Sequence, residues 1–240
     1  MNSESMYRMP QAFAADALPA ERAGFIRRTY THLGGAILAF VLLELAIFQT
    51  SIPSLVLQGL SGSRYSWLLV MGGFMLVSWL ATRWAESGQS EGMQYAGLGL
   101  YVVGQAVMFI PLLAIAQLMT GDGSLLISAA LLTLMLFTGL TVAVFATQKD
   151  FSFMGTILTV GGFVAMGVIA CSVLFGFQLG VLFSGVMVLF AAGAILYDTS
   201  NVLHHYRTNQ HVAASLALFA SVALLFWYIL RLFMNLRSSD

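Results

Sequence analysis

Long apolar runs alternate with short polar breaks along most of the chain. Seven runs, at residues 33–49, 66–82, 94–118, 124–146, 153–175, 181–202 and 212–233, approach or exceed the roughly 20 residues a helix needs to cross a hydrocarbon layer. Continuous runs of this length mean helices, because a transmembrane strand shows alternating segments of about 10 residues. The breaks leave no room for a separate soluble domain. The pattern predicts an all-α integral membrane protein with seven transmembrane helices, its membrane domain at 25–236. A polar N-terminal tail at 1–24 and a short C-terminal tail at 237–240 flank it. Residues 1–22 read as mobile and cytosolic. They lack the apolar core of a cleavable signal peptide.

Composition sharpens the class. Of 240 residues, 59% are hydrophobic and only 8% charged, where a soluble domain carries roughly 25% charged residues. The formal net charge is zero, so no basic field invites nucleic acid. Lys and Arg set the orientation. With the N-terminus in the cytosol, the inner flanks hold Arg8, Arg22, Arg27, Arg28, Arg83, Lys149 and Arg207, and the outer flanks hold Arg64, Arg231 and Arg237. That bias predicts a cytosolic N-terminus, and seven full spans then place the C-terminus outside. Arg231 and Arg237 pull the other way, so a re-entrant last segment stays open.

Small residues punctuate the runs: Gly97, Gly99 and Gly104 in the third, Gly161, Gly162 and Gly167 in the fifth, Ser184, Gly185 and Ala191 to Ala194 in the sixth. In lipid such residues let helix backbones approach closely. Pro111 lacks a backbone donor and is expected to kink the third run. No internal repeat is evident, which disfavours an inverted-repeat transporter. Cys171, the single cysteine, reads as a small core or lipid-facing residue.

The candidate chemistry is sparse. No phosphate-binding Gly-rich loop and no His-Glu-x-x-His helix occurs, no nucleophile is paired with a base, and neither an enzyme nor a cofactor is expected. His204, His205 and His211 fall near the inner end of the sixth run; Asp198, six positions before His204, is not on the same helical face. An interfacial or pH-responsive role is favoured over a metal site. Three ionisable residues lie in or beside the runs: Glu44, Arg83 and Asp198. An acid inside a membrane helix costs about 2.5–3.5 kcal/mol at the helix centre on insertion scales, so it points to function by default. Asp198, about 6 Å from the end of its run, also fits a side chain reaching the interface. Glu44 is equally open to either reading, and Arg83 fits an interface anchor better than a gate. Inside the bundle, Asp198 would couple proton binding to helix packing: ionised it holds a cation or latches onto Arg83, and protonated it releases either.

Three segments bear a family resemblance. They are Phe25-Ile26-Arg27-Arg28-Thr29-Tyr30 before the first span, Thr147-Gln148-Lys149-Asp150-Phe151-Ser152-Phe153-Met154-Gly155 between spans four and five, and Ala194-Ile195-Leu196-Tyr197-Asp198-Thr199-Ser200-Asn201 with His204 in span six. Together, over residues 22 to 236, they resemble the Bax inhibitor-1 family. The resemblance implies six helices around a central seventh and a pH-sensitive calcium leak sensed by two acids, one each from helices six and seven. Asp198 matches the first acid. Ser221 stands where the second is expected, and Leu224 where the family pattern has Asn. Two close carboxylates share a divalent cation well, whereas a carboxylate and a hydroxyl do not. The departure is similar to the bacterial branch, whose described role is restraining a membrane-anchored ATP-dependent protease; the polar tail would then be what the protease engages.

Two functions are thus expected. The first is a pH-sensitive calcium or cation leak centred on Asp198, with Ser221, Arg83, Glu44 and His204 in the sensor or pathway and Asp198 a weak calcium ligand. The second is a binding protein that modulates such a protease. Both place the chain in a bacterial inner membrane.

Overall fold

The computed structural model describes residues 12–63, 65–87 and 90–238. Eight helices follow in order: α1 (Pro19–Ile47), α2 (Ile52–Ser61), α3 (Ser66–Ala85), α4 (Glu91–Thr120), α5 (Ser124–Thr147), α6 (Met154–Phe175), α7 (Val181–His204) and α8 (His211–Arg237). All but α2 are long and apolar enough to cross a membrane. The protein is an all-α, multi-pass membrane protein. Local chemistry places several boundaries. Pro19 sits at the first turn of α1, where its missing N–H costs nothing. The Ser90 hydroxyl accepts from the Met93 N–H, 3.3 Å away, and caps α4. Between α4 and α5, Gly121 and Gly123 take left-handed φ values of 72° and 70°, which favour glycine. Asp122 between them accepts the Ser124 N–H at 3.0 Å.

Hydropathy located the spans but not all of the helices. α1 begins at Pro19 rather than at residue 33, because its first turns lie outside the apolar run. The first link contains α2, ten residues long and too short to span. The helical backbone of α4 runs through Pro111 without a break. The tail differs as well. The Ala14 N–H donates to the Tyr206 carbonyl at 2.8 Å, and the Arg207 guanidinium lies over the Phe13 ring, 5.6 Å from its centroid. Residues 12–18 are therefore strapped across the α7–α8 link rather than free, and 19–24 are helical. Residues 1–11, with Arg8, and Arg64 lie outside the described residues.

In the membrane-crossing segments, α8 and α4 bury 72% and 61% of their most apolar stretch, against 28% or less for the others. α8 packs against α1, α3, α4, α5 and α7, while α6 packs mainly on α7. The last helix is the most buried, and α4 is the next. Phe109 of α4 joins them. Its ring meets Phe40 of α1 edge-on at 5.2 Å, stacks on Phe226 of α8 at 5.6 Å and meets Trp227 edge-on at 5.0 Å. Outer faces carry large apolar side chains such as Leu182, 83% exposed, and Leu189, 73% exposed, as a lipid-facing surface requires. Cys171 also faces outward.

The glycines mark the closest helix pairs. A Cβ on Gly97 would lie 2.5 Å from the Ala81 carbonyl oxygen and 2.6 Å from the Ala85 nitrogen, so α3 and α4 touch there backbone to backbone. Gly99, two residues on, faces open space.

Chain direction gathers one set of links at one end. Residues 12–18 and the α3–α4, α5–α6 and α7–α8 links meet there, with Arg22, Lys149 and Arg207. This is the basic end.

Candidate functional site

Asp198 lies on α7 and Ser221 on α8, the closely packed pair that runs down from the α7–α8 link. The Ser221 hydroxyl donates to Asp198 Oδ2 at 2.5 Å. Counted along the two helices, the pair lies between roughly 9 and 15 Å from the basic end. Asp198 is partly buried and Ser221 is 6% exposed. Tyr206 stands between the acid and the strap. Its phenol is held above the ordinary value of 10, first by burial and then by the negative charge of Asp198, Glu86 and Tyr197. The pair has one carboxylate and one hydroxyl. Calcium takes 6–8 oxygen ligands, so most of its shell would have to come from elsewhere. Among the described residues, no group of three His, Cys, Asp or Glu side chains could hold a metal ion.

The segments that carry the family resemblance meet beside this pair. In the α5–α6 link, Asp150 accepts the Ser152 N–H at 2.8 Å, and the Phe151 N–H donates to Ser200 Oγ of α7 at 2.9 Å. Asp150 also pairs with His205 at 3.1 Å, the single acid–base side-chain pair of this kind among the described residues. The backbone amide of Ser152 and the His205 imidazole together hold the Asp150 carboxyl below its ordinary value, the Ser152 amide more strongly. From α1, Phe25 is fully buried, and the Thr29 carbonyl accepts the Ser215 hydroxyl of α8 at 2.8 Å. Arg22 reaches Gln148 Oε1 at 3.3 Å and the Leu203 carbonyl at 3.4 Å. Stretches more than a hundred residues apart thus build one face of the bundle.

The other expected site residues are not brought to Asp198. Arg83 is exposed on α3, its guanidinium 4.8 Å above the Trp79 ring of the same helix, and it makes no contact with Asp198. The latch between the two is absent from this structure. Glu44 is 7% exposed and sits near the far end of α1, on the face that carries Phe25, Thr29, Leu33 and Ala36. Neither of its carboxylate oxygens has a hydrogen-bond partner among the described residues. No hydrogen bond or ion pair joins Glu44 to Asp198 among the described residues. They do not form one site. His204 Nδ1 donates to the Ser200 carbonyl at 3.0 Å and so supports the end of α7.

The three neighbouring histidines also separate. His205 goes to Asp150, an acid distant in sequence, whereas His211 turns to α1 and α4. Tyr95 Oη lies 3.3 Å from His211 Nε2 and 3.1 Å from His32 Nε2. Sequence reasoning missed His32 and Tyr95, since no local pattern links positions 63 and 116 residues apart.

Residues 22–238 match the family described as inhibitor of apoptosis-promoting Bax1. The chain belongs to the Bax inhibitor-1 family. An uncharacterized protein of Pseudomonas aeruginosa is 28% identical over 96% of both chains. The Escherichia coli protein named modulator of FtsH protease YccA is 29% identical over 72% of this chain and 75% of its own. Bax inhibitor 1 of Schizosaccharomyces pombe is 31% identical over 48% of this chain and 44% of its own. No solved structure matches. Within this Bax inhibitor-1 member, the hydroxyl that replaces the expected acid is hydrogen-bonded to the acid that remains. The strap at 12–18 precedes the segment matched to the family.

Proposed function

We propose that this chain is a pH-sensitive cation leak whose control element is the Asp198–Ser221 pair, with the basic end in the cytosol of a bacterial inner-membrane protein. The hydrogen bond between α7 and α8 carries this reading. An ionised Asp198 only accepts: it draws in the Ser221 proton and attracts cations, with no cationic side chain among the described residues in contact to cancel its charge. A protonated Asp198 is neutral and can itself donate, so a cation loses its hold and the α7–α8 contact weakens. Calcium and protons are the cations of interest. The test is calcium entry into proteoliposomes. Wild type should conduct, Asp198→Asn should fall to the level of empty vesicles, and Ser221→Asp, which completes a two-acid site, should increase flux or calcium affinity. Wild type indistinguishable from empty vesicles ends this reading.

A second reading rests on the relative named as a modulator of FtsH protease. Here the chain binds a membrane-anchored ATP-dependent protease through its N-terminal segment. Two observations favour it: the strap lies across the basic end, and it falls outside the family match. Deleting residues 2–22 should change the turnover of that protease's membrane substrates. Unchanged turnover, with no protease co-purifying, counts against it.

A further inference from the structure

We propose that His32, Tyr95 and His211 form a binding site for a borderline divalent transition-metal ion of the Zn2+ class. The site lies at the basic end and draws one ligand each from α1, α4 and α8.

Both imidazoles turn the same nitrogen toward one point. Tyr95 Oη is 3.1 Å from His32 Nε2 and 3.3 Å from His211 Nε2. His32 Nδ1 lies 2.7 Å from the Arg28 carbonyl, which only accepts, so Nδ1 carries the proton and Nε2 of the neutral ring is a lone pair. A histidine whose second nitrogen donates to a backbone carbonyl has the orientation that metal-ligating histidines adopt. The spacing fits as well. Two imidazoles bound through Nε2 at about 2.0–2.1 Å in a tetrahedral site place their centroids roughly 5 Å apart, and these centroids are 5.0 Å apart.

The single Tyr95 proton cannot serve both ring nitrogens. Tyr95 has one proton and faces two ring nitrogens. If it donates to His32, His211 must donate back from Nε2, and its Nδ1 becomes a bare lone pair. That Nδ1 is buried and has no partner among the described residues, on a ring 5% exposed. If His211 instead carries its proton on Nδ1, that proton has no acceptor, and one of the two Nε2 lone pairs has no donor. A metal ion bound by both Nε2 atoms takes up both lone pairs at once, with the phenol oxygen and water completing four ligands and the His211 proton left on the buried Nδ1. Tyr95 is 41% exposed and His32 is partly exposed, so an ion has a route in. Arg28 and Glu91 stand close enough to act on His211 electrostatically, with opposite signs. No third His, Cys or carboxylate completes the set among the described residues, so the site suits exchangeable rather than permanent metal. Occupancy would tie α1 and α4 to α8, the helix that carries Ser221. Because the ligands must be unprotonated, binding weakens as pH falls.

The test uses the full chain, purified in detergent and stripped with chelator. Zn2+ is titrated by calorimetry, and Co2+ serves as the visible-absorption probe. Wild type should bind one Zn2+ per chain, give a Co2+ d–d band and gain thermal stability on loading. His32→Ala and His211→Gln should each lose about tenfold or more in affinity, together with the band, and Tyr95→Phe should lose less. The chain has four histidines, so His205→Ala, which disrupts the pair with Asp150, is the control that should bind as wild type does. His32→Gln serves if His32→Ala fails to fold. Absence of stoichiometric binding in wild type, retention in the folded His32 variant, or loss in His205→Ala overturns the site.

Discussion

Ser221 shows how far single residues can be read. In the sequence it is a serine where a family acid is expected; in the fold its hydroxyl donates to the acid on the neighbouring helix. The sequence showed the position but not the bond, because the bond depends on how α8 is rotated against α7. Ser221→Ala should destabilise the bundle by about 0.5–2 kcal/mol, the range for a polar contact between membrane helices, measured by unfolding in mixed micelles. Glycine makes the same point. Gly97 and Gly99 look alike in the sequence, yet a Cβ on Gly97 would strike the α3 backbone and one on Gly99 meets nothing within 4 Å. Gly97→Ala should therefore cost about 1–3 kcal/mol or more, while Gly99→Ala is neutral or stabilising, since alanine is the better helix former. Equal losses for the two in a thermal-shift series would contradict the α3–α4 packing.

At the scale of elements, apolar run length placed all seven spans, because lipid-facing and core positions are both apolar here. It missed α2, which is apolar but only ten residues long, and the more polar start of α1, and it missed the strap, which is held by two backbone hydrogen bonds and a ring contact. The α5–α6 link makes a pH-dependent element. Asp150 has a folded-state pKa below the ordinary 3.8, because the Ser152 amide and then His205 favour its charged form. It therefore binds its proton less readily in the folded link than in the unfolded chain. Its stabilising contribution is complete above the unfolded value and is lost as pH falls through the lowered folded value, in the window below about pH 4. Amide hydrogen exchange in residues 148–153 should rise in that window relative to the rest of the bundle. In Asp150→Asn the same amides should exchange faster already at neutral pH, with no further acid step.

For the whole molecule, the sequence and the structure agree on class and differ on arrangement. The resemblance implied one central helix; in the structure α8 is the most buried and α4 the next. Hydropathy could not show this, because α5 and α6 are as apolar as α4 and far less buried. The expected site was divided. Asp198 and Ser221 come together, Glu44 has no hydrogen-bond partner among the described residues, and Arg83 lies over the Trp79 ring. With the basic end in the cytosol and seven full spans, a reporter fused after Asp240 should read as external; a cytosolic reading would require the last segment to turn back. Under the proposed function, protonation of Asp198 governs passage of cations. This is tested most directly by calcium flux into proteoliposomes over a pH series, wild type beside Asp198→Asn. Wild-type flux should titrate with pH, and the variant should stay flat at the level of empty vesicles. Identical pH profiles in the two would contradict it.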